Sequence, residues 1–204
     1  MTTILQEAAA GRATILPWTA EQYRQAIATG MVPEDAAFEL LEGFIVRKDR
    51  SKAGDDPMTI GDRHRVAVLR LAQTAPLFEA LGCFLQTQQP IRLPPISEPE
   101  PDGAVVCGRI DDYLDHPPLA ADVSSVIEVA DSSLPLDLGP KLRAYATNGI
   151  QQYVVVDLVN DRLLVHEEPS GESYARATPL TRGTAVEIRA GRGRVSIAVE
   201  RLIP

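Results

Sequence analysis

Apolar residues along this chain fall into short runs separated by turn chemistry, and the period of each run indicates the element it builds. "TAEQYRQAIATG" offers Thr19 as a helix cap, Gln22 three residues on as its reciprocal partner and Gly30 near the stop, so a helix of about two turns is predicted. "FELLEGFIVRK" is two apolar runs around Glu42-Gly43, a pair suited to a tight hairpin because glycine accepts positive φ. From Thr59 to Leu81 apolar residues recur at helical spacing through Val66, Leu69, Ala72, Leu77 and Leu81, and Pro76 is expected to kink or split that helix.

Downstream the period shortens. "CFLQTQQPIRL" alternates like a strand, and the proline-rich "LPPISEPEPD", residues 93–102, must be extended. "GAVVC" and "SVIEVA" read as central strands, apolar throughout except for Glu128. Asp137 is placed to cap a helix ending at Asn148-Gly149, and "QYVVVDL" is another buried strand. "RLLVHEE", "SYARATPL", "AVEIRA" and "VSIAVERL" follow as shorter strands. The expectation is an α/β (α+β) chain: a mixed β-sheet flanked by helices, with a β-rich C-terminal extension. Residues 1–17 read as a flexible lead-in and 18–204 as a single domain. In the tail, Val186, Ile188, Val195, Ile197 and Val199 exceed what a small sheet needs, so a homodimer that covers the surplus is expected.

Composition narrows the chemistry. At 204 residues, 45% hydrophobic and 24% charged, the chain suits one well-buried core. It has no apolar run of about 18 residues and no recognisable secretory start, so no membrane association and a cytoplasmic setting are expected. Cys83 and Cys107 lack CxxC spacing and read as buried free thiols. A net charge of −8 repels a polyanion, so any contact with nucleic acid needs a local basic patch or a bound cation. "RKDRSK", residues 47–52, is the most basic stretch and could supply the patch, although such a run is more often a solvated loop. No GxSxG elbow, Walker loop or HExxH is present.

Glu128 raises the central question, because an ionised carboxylate in an apolar strand is costly without a partner or a metal. Asp102 heads the strand "DGAVVC", and Lys141 shares a helical stripe with Leu138, Leu142 and Tyr145 that should face the sheet. Two carboxylates and an ammonium at strand ends could hold Mg²⁺ or Mn²⁺ and orient a water for phosphodiester hydrolysis. The plainer reading of the same residues is a satisfied Glu128–Lys141 salt bridge beside a turn capped by Asp102.

Several of these features occur together, in order, in a known family. "WTAEQY", "FELLEG", His64, "PDGAVV" and "EVADSSLPLDLGPKLRAYATNGIQQYVVVD" resemble the Uma-two family of bacterial endonucleases, within the PD-(D/E)xK nuclease superfamily, from about Trp18 to Asp157. The resemblance implies a restriction-endonuclease-like fold and a metal-dependent endonuclease acting on nucleic acid, with DNA the first candidate. It implies Asp102 and Glu128 as metal ligands, Lys141 as an active-site lysine displaced onto the helix, and Glu39 as a further acidic residue near the metal. Ala130 stands where a standard ExK has lysine, as a migrated lysine requires, while Val154 and "ADSS" depart from the family's usual residues.

On the long helix, His64 with Arg63 and Arg65 could contact a substrate phosphate, His64 also as a proton shuttle; the bland alternative for His64 is an exposed helix position. Glu42 and Asp157 have adequate structural explanations in a turn and at a strand end. From a different class, a catalytically inactive nuclease-fold module that binds a protein or nucleic acid remains an alternative.

Overall fold

The computed structural model describes residues 3–33, 38–47 and 61–204. The basic stretch beyond Arg47, and the first residues of the segment beginning at Thr59, lie outside the described residues. A short helix α1 (Ile4–Ala9) forms inside the lead-in and buries none of its residues. Helix α2 (Ala20–Ala28) carries the expected reciprocal cap: Gln22 N donates to Thr19 Oγ1 at 3.1 Å, and Thr19 N donates to Gln22 Oε1 at 2.9 Å.

Strands β1 (Phe38–Leu41) and β2 (Phe44–Arg47) close the predicted hairpin, with Leu41 opposite Phe44. Its two turn residues, Glu42 and Gly43, have φ of 50° and 81°, the left-handed pair that a two-residue hairpin requires. At Gly43 a Cβ would also fall 2.2 Å from Pro17 Cβ, so glycine there lets the chain before α2 cross the turn. Leu40 joins Ala20, Tyr23, Ala26 and Val32 in a small apolar core of this region's own.

The long helical stretch divides into α3 (Asp62–Ala72) and α4 (Pro76–Glu79), with Pro76 in the first turn of the second piece, where its missing N–H costs least. Strands β3 (Cys83–Gln86), β4 (Gly103–Cys107), β5 (Val123–Ala130), β6 (Gln152–Asp157), β7 (Arg162–Ser170) and β8 (Ser173–Thr181) form a six-stranded sheet in that order. Neighbours are antiparallel except β5 and β6, which run parallel, so the sheet is mixed as expected. A parallel pair needs a crossover, and the chain makes it with α5 (Leu134–Leu136), a π-helical turn at Asp137–Lys141 and α6 (Leu142–Thr147). Pro140 lies within that turn. Lacking an N–H, it cannot make the ordinary helical bond, and the backbone widens around it. Asp137 is therefore not the cap that the sequence suggested; the helix starts earlier, and Asp137 is buried inside it.

A second hairpin, β9 (Ala185–Ala190) and β10 (Gly193–Ala198), closes one face of the sheet. Val186, Ile188, Ile197 and Val199 are buried in the same core as Ile127, Val129, Val154 and Val156, and Val195 packs against it. The apolar surplus that suggested a partner copy is thus covered by the chain itself, which removes the premise of the homodimer. Gln152 ties this hairpin to the sheet: its Nε2 donates to Glu187 O at 2.9 Å and its Oε1 accepts Arg189 N at 2.9 Å. No helix among the described residues is long and apolar enough to cross a membrane.

Candidate active site

Strand alternation decides where Glu128 points. Ile127 and Val129 face the core shared with α3 and the β9–β10 hairpin, whereas Val126 and Ala130 face the core shared with α6. Glu128, of the latter parity, is directed toward α6. Gly103 pairs with Ile127 across the antiparallel β4–β5 ladder, so the preceding residue, Asp102, comes opposite Glu128. The two are cross-linked through backbone: Val129 N donates to Asp102 Oδ2 at 2.8 Å, and Asp102 N donates to Glu128 Oε2 at 3.4 Å. A Cβ on Gly103 would fall 2.7 Å from Leu71 Cδ2, so glycine lets α3 lie close over the start of β4. From α3, His64 Nε2 reaches to 3.2 Å from Asp102 Oδ2, and its side chain is 19% exposed, not the exposed position of the bland reading.

Lys141 closes the other side. Its Nζ donates to Glu128 Oε1 at 2.9 Å and lies 3.3 Å from Glu39 Oε2 and 3.8 Å from Asp137 Oδ1. Tyr145, one helical turn further, donates its hydroxyl to the same Glu128 Oε1 at 2.7 Å. Glu39 Oε2 also accepts Glu100 N at 3.2 Å, while Glu39 Oε1 is buried with no hydrogen-bond partner among the described residues. Asp137 Oδ2 accepts the Ser133 hydroxyl at 2.6 Å. Asp102, Glu128, Lys141 and Glu39, drawn from four separate elements, therefore meet in one buried cluster, joined by Asp137, Tyr145 and His64.

The cluster is short of positive charge. Four carboxylates surround one ammonium and one imidazole, all largely out of water. Burial pushes the Glu128 and Asp137 carboxyls up, and Lys141 only partly offsets it. Burial also works against the Lys141 ammonium, but Glu128, Glu39 and Asp137 outweigh it and hold the lysine above its ordinary value. At Asp102 burial is outweighed by the His64 contact and the Val129 amide, which keep the carboxyl below its usual range. Burial likewise opposes charge on His64, and Asp102 outweighs it.

Other residues singled out in the sequence are placed elsewhere. Arg63 donates to Leu158 O and to Asp161, and Arg65 lies beside Asp62, both on the exposed side of α3. Glu42 holds Arg143 with two bonds of 2.8 Å, and Asp157 is taken by Asn160 and Arg162. Asp137 and Tyr145 were not marked as site residues by sequence reasoning; the Lys141 stripe included Tyr145 and gave the one signal for it. A cavity of about 480 Å³ lies at the free edge of β3, lined by Phe84, Tyr113 and His116 among others, but none of the cluster residues lines it.

The donor set is oxygen throughout, which suits a hard divalent cation. Among the described residues no three such groups stand ready to hold a metal together. Mg²⁺, however, commonly takes only one or two carboxylates and completes its shell with water and substrate phosphate. Asp102 and Glu128, joined across the β4–β5 register, with Glu39 Oε1 unpartnered among the described residues in the same cluster, fit that demand.

Comparison with known proteins agrees with this architecture. The fold is similar to that of a "putative nuclease belonging to DUF820" from Anabaena variabilis, with a TM-score of 0.65 and 13% sequence identity, covering 91% of this chain and 97% of that one. At that identity the likeness speaks for the fold. No match is found among curated proteins. The family model Uma2, described as "Putative restriction endonuclease", matches residues 20–200, nearly the whole length, and the chain belongs to that family.

Proposed function

We propose that this chain is an endonuclease that hydrolyses phosphodiester bonds in nucleic acid, DNA first among the candidates, with Mg²⁺ or Mn²⁺ as cofactor. The observation that carries the reading is the meeting of Asp102, Glu128, Glu39 and Lys141 in one cluster with more carboxylates than cations. Asp102 and Glu128 would hold the metal, with Glu39 close by. When bound, the metal supplies charge neutralisation at the phosphate and a more acidic water. Lys141, paired with Glu128 and beside Glu39 and Asp137, would donate hydrogen bonds that orient the attacking water and steady the developing anion. His64 fixes Asp102 from the α3 side, whereas Arg63 and Arg65 pair with Asp161 and Asp62.

A module that binds without cleaving is the second reading, favoured by the engagement of both Glu128 oxygens in the chain's own hydrogen bonds. A panel of labelled single-stranded, double-stranded and branched DNA and of RNA, incubated with Mg²⁺ or Mn²⁺, tests the first reading. Cleavage of at least one substrate that Glu128→Gln abolishes is the expected result. Retained binding with no cleavage under either metal would favour the second reading.

A further inference from the structure

Lys141 and Tyr145 both donate to Glu128 Oε1, at 2.9 and 2.7 Å, whereas Oε2 accepts only the Asp102 amide among the described residues, at 3.4 Å. A carboxylate oxygen offers about two lone-pair sites, so Oε1 is saturated and the remaining capacity of Glu128 lies on the side of Asp102. The two donors differ in freedom. Lys141 sits on a flexible stem and has two other carboxylates, Glu39 and Asp137, within 3.8 Å to keep it paired if it leaves. Tyr145 is fully buried, its ring lies 4.8 Å from that of Tyr153, and Tyr153 is itself stacked on His166. Its hydroxyl is therefore held in place by packing.

We propose that Tyr145 is a positioning residue: its hydroxyl holds Glu128 Oε1 so that Lys141 can turn to the attacking water while Glu128 keeps Oε2 aimed beside Asp102. The inference rests on the metal-dependent reading given above. It assigns Tyr145 no contact with substrate, and its effect passes through Glu128. Partners that orient a metal ligand characteristically change metal affinity or activity by about 10- to 100-fold when removed.

Tyr153 provides the control, since its hydroxyl is equally buried but donates to the Asp137 backbone O at 3.0 Å and not to Glu128. Tyr145→Phe and Tyr153→Phe each delete one buried hydroxyl and keep the ring, and in Tyr145→Phe Glu128 Oε1 still has Lys141. The measurements are Mn²⁺ titration by calorimetry and melting temperature without metal. Tyr145→Phe is expected to fold and to bind Mn²⁺ about 10- to 100-fold more weakly than the parent, with Tyr153→Phe binding as the parent does. Equal Mn²⁺ affinity in Tyr145→Phe and the parent would overturn the assignment, as would equal weakening in both variants. A Tyr145→Phe chain that fails to fold would overturn it too, because the hydroxyl would then be a structural bond. If the parent itself binds no Mn²⁺, the metal-dependent reading fails, and this assignment with it.

Discussion

Lys141 Nζ stands 2.9 Å from Glu128 Oε1 with both side chains no more than 5% exposed, so one ammonium neutralises a carboxylate that has almost no access to water. Lys141→Met keeps most of the stem but leaves Glu128, Glu39 and Asp137 without their shared cation. Removing one partner of a buried pair costs about 3–5 kcal/mol. Without Lys141 the Glu128 and Asp137 carboxyls are raised further in the folded state, and stability tied to a raised carboxyl is present in acid and lost as pH rises. The parent's Asp137 and Glu128 are already raised to about 6 and about 8, so the deficit of Lys141→Met against the parent should grow in urea unfolding as pH rises through about 6 and on through about 8. A deficit that stayed flat would mean that Glu128 and Asp137 do not depend on the lysine. In cleavage assays the same variant should lose on the order of 100-fold or more in rate while Mn²⁺ still binds, whereas Glu128→Gln should weaken Mn²⁺ itself.

His166 predicts a separate pH dependence. Its ring lies 5.8 Å from that of Tyr153 and 5.9 Å from that of Tyr174, and its Nε2 is buried without a partner among the described residues. Burial lowers its pKa from the ordinary 6.5. The folded chain thus holds this proton less tightly than the unfolded chain, so the stability is present above the ordinary value and lost as pH falls through it. His166→Phe should melt with less acid sensitivity than the parent between about pH 7 and about pH 5. Parallel melting curves across that range would show that His166 charges freely in the fold.

Gly43 couples the hairpin to the chain before α2. Gly43→Ala must place a Cβ where Pro17 now lies and hold it at a φ of 81°. The positive φ alone costs an alanine roughly 1–2 kcal/mol. Trp18 N donates to Gly43 O at 2.9 Å, and Trp18 is the only tryptophan in the chain. Its emission should shift to the red in Gly43→Ala before global unfolding. Unchanged emission with unchanged stability would mean that the crossing adapts at no cost.

Glu128, its strand and its partner Asp102 were legible because an apolar run with one carboxylate is hard to explain otherwise, and antiparallel register then fixes what lies opposite. The hairpin at Glu42-Gly43 and the cap at Thr19 were legible for a local reason: their chemistry is complete within a few residues. Asp137 was misread because an aspartate ahead of a helical stripe carries the N-cap signal, while the helical backbone starts at Leu134 and passes Pro140 with a π-helical turn. His64 was a candidate in the sequence beside Arg63 and Arg65, but its contact with Asp102 was not legible there. That Asp102 would receive it depends on Gly103 letting α3 approach, a distance no sequence pattern states.

The small separate core around α2 and the β1–β2 hairpin bears on how anything reaches a cluster this deeply buried. Glu39 belongs to that unit, whereas Asp102, Glu128 and Lys141 belong to the sheet and its crossover. The unit is held by the Lys141–Glu39 contact, by Glu42–Arg143, whose side chains are 37% and 39% exposed, and by backbone bonds between Leu40 and Glu98. Such a patch can open sub-globally while the sheet stays folded. In native-state hydrogen exchange, the Leu40 and Glu98 amides should exchange at lower free energy than those of Val126 to Val129. Arg143→Ala, which removes a half-exposed pair worth about 0.2–1 kcal/mol, should speed exchange at Leu40 and leave β5 unchanged. Opening of this kind would lift one carboxylate off the lysine and admit solvent to the cluster in a single motion.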